Sequence, residues 1–115
     1  MYSHTPSFNG WLLGYRTGVT PGLGNGFNFG TRNASLSPNV VYTSNTTQGT
    51  LSADTWYHVV GVRDGTTNRL YVNTTASASP STMASIGDPG NNTIRIGQWY
   101  EDADDFGLFG NVDDV

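Results

Sequence analysis

The chain has 115 residues, enough for one domain around one core. Charged residues make up 12% of it and the net charge is −4, with every cation an Arg. That leaves no basic stripe to attract a phosphate backbone, so nucleic acid is excluded as an expected partner.

Cysteine is absent, which removes disulfides, Cys-ligated zinc and a Cys nucleophile from consideration. No apolar run approaches the ~20 residues that span a bilayer, so no membrane insertion is expected. The opening "MYSHTPSFNG" lacks a basic region followed by an apolar run, so no signal peptide is expected either. Apolar residues reach only 36%, with Gly, Asn, Ser and Thr filling the difference. Three Trp, six Tyr and five Phe nevertheless argue for a packed fold, because disordered chains are poor in aromatics.

In chain order, the turn pair Asn9-Gly10 precedes "WLLGYR", where Trp11, Leu13 and Tyr15 share one parity. The glycine-rich "GLGNGFNFGTRN" follows, with Phe27 and Phe29 alternating with Asn28. "NVVYTS" reads as a short strand with Val40 and Tyr42 on one side. Strict alternation then marks a hairpin over "WYHVVGVRDGTTNRLYVNTT". One face of its first arm carries Trp56, His58, Val60 and Val62, and the other carries Tyr57, Val59, Gly61 and Arg63. "DGTTN" is the expected turn. The expected core of the hairpin is Trp56, Val60, Val62, Leu70 and Val72.

Residues 74–90 read as a long polar loop, a surface excursion or a poorly ordered one. Strand signal resumes at "NTIRIGQWY", with Ile94 and Ile96 expected inward, and again at "DFGLFGNVDDV". No helical period and no internal repeat is visible. About seven short strands predict an all-β sandwich or barrel in a single domain over residues 1–115.

Five pieces in fixed order carry a family resemblance: Trp56-Tyr57-His58-Val59, Asp64-Gly65, Leu70-Tyr71-Val72-Asn73, Ile96-Gly97, and Phe109-Gly110-Asn111-Val112-Asp113-Asp114-Val115. Together they resemble the laminin-G-like, concanavalin-A-like lectin and glucanase family, which implies an antiparallel jelly-roll β-sandwich. The sequence departs from that pattern at Thr74, where the family usually has Gly. The resemblance also implies further strands before and after this chain. The domain is therefore expected to be partial: a fragment of a larger protein or a shortened variant, or else one whose missing strands a neighbouring domain or chain supplies. An extracellular or virion-surface location is implied in the same way.

The most chemically loaded stretch is "WYEDADDFG", with Glu101, Asp102, Asp104 and Asp105 beside Trp99 and Tyr100. Hard oxygen ligands grouped on a loop suit calcium, although the spacing is not that of an EF-hand. The resemblance supports a calcium ion there, since many laminin-G-like domains carry one at a loop rim. A solvated acidic loop is the other reading. His58 lacks a placed partner such as His4 and is expected to be a packed, hydrogen-bonded histidine. Of Asp113 and Asp114, one is expected to point inward, where it would cap a loop backbone or else make a second calcium contact.

Glucanases share the implied fold, but the chain has a single Glu and no Glu-x-Asp-x-x-Glu strand. It also lacks a Gly-x-Ser-x-Gly elbow and a phosphate loop that opens a helix. No enzymatic activity is expected. The remaining hint is aromatic: Trp99, Tyr100 and the outward-parity Tyr71 could stack on sugar rings or cover the rim of the sandwich. Asn33, Asn45 and Asn73 stand in glycosylation sequons, which Ser/Thr abundance produces by chance. Two functions remain in view, a non-catalytic module binding a glycan or other surface ligand, and a structural, adhesive sandwich.

Overall fold

The computed structural model describes residues 9–16, 26–45, 52–77, 79–88, 96 and 110–113. Every regular element among these is a strand: β1 (Gly10–Arg16), β2 (Gly26–Arg32), β3 (Val40–Asn45), β4 (Val59–Asp64), β5 (Thr67–Val72), β6 (Thr75–Ala76) and β7 (Ser81–Thr82). Strands β1, β2 and β3 form one antiparallel sheet in that order. Strand β5 centres the second, with β4 on one edge and both β6 and β7 on the other. The sheets face each other through β2 and β3 on one side and β5 and β7 on the other. This is a β-sandwich.

Turn chemistry sets the register. Gly65-Thr66 closes the β4–β5 hairpin as a two-residue loop, shorter than the expected "DGTTN". Its positive φ of 57° falls on Gly65, where no Cβ resists it. Asp64 therefore pairs with Thr67, Gly61 with Leu70, and Val59 with Val72.

That register corrects the expected core. Leu70 and Val72 are fully buried, as the alternation of β5 predicts. Directly paired residues share a face, so their partners Gly61 and Val59 point inward and Val60 and Val62 point outward. Val62 is exposed, and Trp56 is 67% exposed. The core consists of Phe29, Leu70 and Val72, with Phe27, Tyr57 and Val59 packed against it. Phe27 makes ring contacts with Tyr15 (5.6 Å, edge-on) and Tyr57 (5.8 Å). The Phe29 ring lies over Gly61, so that a Cβ there would sit 2.5–2.9 Å from three ring carbons.

The second half of the interior is polar. Asn68, fully buried, donates from Nδ2 to Thr31 Oγ1 (2.8 Å) and Ser81 Oγ (3.4 Å) and accepts at Oδ1 from Arg63 Nη1 (3.1 Å). Thr43 donates to the Asn68 carbonyl (3.1 Å), and its hydroxyl shares a 2.7 Å hydrogen bond with Ser81. Arg63 Nη2 donates to the Met83 carbonyl (2.7 Å), and Thr31 donates to Met83 Sδ (3.7 Å). Buried amides and hydroxyls are tolerable only when satisfied in this way.

Part of the supposed surface loop is thus interior. Strand β7 pairs with β5, Met83 and Ser77 are buried, and Ser81 joins the polar network. Apolar periodicity carries no trace of this, because the side chains turned inward are mostly hydroxyls. Two other expectations fail. Ile96, expected inward, is exposed, and residues 110–113 are exposed and outside any strand, so Asp113 is not turned inward, while Asp114 lies outside the described residues.

The β5–β6 turn explains the departure at Thr74. Asn73 and Thr74 both have positive φ, 47° and 70°. Asn tolerates that region, but a β-branched residue there is strained. Thr74 is exposed, so its side chain contributes little packing in return. Thr74→Gly is expected to raise stability by about 1 kcal/mol, after the entropic cost of Gly is subtracted from the relief of roughly 1–2 kcal/mol. The melting temperature should rise by about 4 °C or more. An unchanged or lower value would mean that the strain is relieved some other way.

Candidate functional site

The outer face of the β4–β5 hairpin carries the describable part of the expected site. Tyr71 lies on it by alternation, since Leu70 and Val72 on either side point into the core. It pairs with Val60 on β4 and Ala76 on β6, which leaves the ring half-buried among small and branched neighbours. Two residues along β5, Arg69 Nη1 meets Asp64 Oδ2 at 3.1 Å, and both side chains are substantially exposed. Sequence reading missed this pair. Counting across a two-residue turn would have found it, because that turn sets Asp64 beside Thr67 and brings Arg69 within reach.

His58 sits at the other end of this face and corrects its expectation: it is exposed, not packed. Its backbone is nonetheless fixed. The His58 N–H donates to Asn73 Oδ1 (2.9 Å), while the Asn73 N–H donates to the His58 carbonyl (2.8 Å). Asn73 therefore extends the hairpin ladder by one step and locks the entry of β4.

Trp99, Tyr100, Glu101, Asp102, Asp104 and Asp105 lie outside the described residues, as does His4. The structure consequently places Tyr71 opposite Val60 and on the same face as Arg69 and Asp64, and leaves the acidic stretch unplaced. Among the described residues no three His, Asp or Glu side chains cluster as a metal site. Among the same residues no helix is long and apolar enough to cross a membrane.

A second surface stands apart from this one. Trp11 and Leu13 on β1 pair with Thr31 and Phe29, which face the second sheet, so they point to that side too. Both are exposed, because β1 extends past the part of the sheet that β5 covers.

Two antiparallel sheets packed face to face define the class, a β-sandwich. The chain matches the sequence model of the concanavalin A-like lectin/glucanases superfamily over residues 3–115, and it belongs to that family. No curated protein and no solved structure matches it.

Proposed function

We propose that the chain is a non-catalytic binding module whose ligand is a glycan or a chemically similar surface group. The observation that supports it is the position of Tyr71. A half-buried aromatic faces outward from the hairpin, with the Arg69–Asp64 pair farther along the same face. Sugar recognition needs that combination, a flat apolar face to lie against the ring and polar groups near it to fix orientation. Trp99 and Tyr100 would extend the aromatic surface. The carboxylates of Glu101, Asp102, Asp104 and Asp105 would hold a calcium ion at the rim, as hard oxygen donors suit it. An extracellular or virion-surface setting follows from this reading.

The second reading, an adhesive sandwich without a small ligand, draws on the exposed Trp11 and Leu13 of β1. It places neighbouring domains or chains against that strand.

Retention on a glycan array in millimolar calcium, and again with chelator, separates the two. The binding module predicts retention that falls at least tenfold for Tyr71→Ala and is lost with chelator. A blank array with the folded wild-type chain would sink that reading and favour the adhesive one. A melting temperature raised by calcium would support the metal site on its own, because only a ligand that prefers the native state stabilises it.

A further inference from the structure

Asn33, Asn45 and Asn73 each stand two positions before a Ser or Thr, the spacing at which asparagine accepts an N-linked sugar. Composition produces such triplets by chance, but the fold treats them differently. Asn33 is half-buried and its side chain is committed. Its Nδ2 donates to Ser85 Oγ (2.9 Å) and to the Ser85 carbonyl (3.5 Å), while Oδ1 accepts from the Ser35 N–H (3.0 Å). For Asn45, the rest of the triplet lies outside the described residues.

Asn73, Thr74 and Thr75 are all exposed. The positive φ values of Asn73 and Thr74 turn the chain back from β5 into β6, so the triplet forms that turn. The Asn73 amide is held through its oxygen: Oδ1 accepts from the His58 N–H at 2.9 Å. A backbone N–H can only donate, so the oxygen must face it and Nδ2 must point elsewhere. Among the described residues Nδ2 makes no hydrogen bond. A sugar on Nδ2 replaces one N–H and leaves Oδ1 untouched, so the bond to His58 survives the modification.

We propose that Asn73 is the acceptor for an N-linked sugar, presented by the β5–β6 turn of the folded chain, and that Asn33 is not. A diphosphate-activated sugar is the donor. Nδ2 forms a bond to the anomeric carbon, the bond from that carbon to the diphosphate oxygen breaks, and the amide proton passes to a base of the transferase. The site does not depend on what the Tyr71 surface binds.

The folded chain is incubated with a soluble asparagine glucosyltransferase and UDP-glucose, and the products are mapped by peptide mass spectrometry. One hexose is expected on Asn73, at a rate close to that of a synthetic peptide with the same triplet. Asn33 should react at least about tenfold more slowly in the folded chain than in its own peptide, because its Nδ2 hydrogen bonds must open first. Thr75→Val should abolish transfer while keeping Asn73 and its bond to His58, which separates the acceptor role from folding. Sugar-bearing and unmodified chains should melt at the same temperature. The proposal is overturned if Asn73 stays unmodified in the folded chain, or if Thr75→Val is modified as the wild type is. A melt lowered by the modification would also overturn it, since Nδ2 would then face protein. Equal reactivity of Asn33 in the chain and in its peptide would overturn the distinction between the two asparagines.

Discussion

Gly61→Val is expected to destabilise the fold by about 2–3 kcal/mol, although Val is the better strand former. In an ordinary strand the change would gain up to about 1 kcal/mol of β-propensity. Here the first carbon added would sit 2.5–2.9 Å from the Phe29 ring. The ring cannot retreat freely, since it packs with the fully buried Leu70 and Val72. Overpacking of a fixed core costs about 1–3 kcal/mol and outweighs the propensity gain. Phe29→Ala alone should cost about 3–5 kcal/mol through the space it leaves. Combined with Gly61→Val, which fills part of that space, the double variant should be more stable than the sum of the two predicts. Chemical denaturation of the four proteins measures this. Strict additivity would show that Phe29 and Gly61 do not share one volume.

Asn68→Leu should cost about 2–4 kcal/mol despite placing an apolar side chain in a buried position. It removes the Nδ2 hydrogen bonds to Thr31 and Ser81 and the Oδ1 acceptor for Arg63. Neutral hydrogen bonds contribute roughly 0.5–1.5 kcal/mol each and one from a charged group roughly 1.5–3, which exceeds the transfer gain of Leu. Much of the loss comes from leaving the Arg63 guanidinium part-buried with one acceptor fewer. A cycle with Arg63→Met isolates that share: the double variant should recover about 1.5 kcal/mol or more relative to additivity. A coupling near zero would mean that water replaces Asn68 as the acceptor.

These two residues also mark where the sequence was legible and where it was not. Strand β5 is readable because Leu70 and Val72 are flanked by polar residues, so alternation has one solution. Strand β4 carries Val59, Val60 and Val62, apolar on both parities, so periodicity cannot choose its inner face. The choice is made across the hairpin, by Leu70 standing opposite Gly61. A glycine is invisible to hydrophobic patterning, and the Phe29 ring that fills its notch comes from the other sheet. Likewise Asn68, Thr31, Thr43 and Ser81 look like surface residues until their partners are known, because a satisfied polar interior has no periodic signature. The family was legible from five short pieces in order, and the match over residues 3–115 bears that out. Of the expected site, Tyr71 lies on the outward face that alternation gave it, while residues 99–105 lie outside the described residues.

The division of the interior into an oily end and a hydrogen-bonded end has a consequence for how the chain finds its alignment. A pure hydrocarbon interface is forgiving of sliding: displacing β5 by two residues keeps every side chain on its own face and trades one aliphatic contact for another. Here the same displacement would push the Asn68 amide toward the aromatic ring of Phe29 and strand the hydroxyls of Thr31, Thr43 and Ser81. Each group left unsatisfied would cost roughly 1–3 kcal/mol, so a single misstep would consume much of the few kcal/mol that hold a small domain together. The hydroxyl and amide groups thus act as detents, giving the two sheets one position at which they click into place.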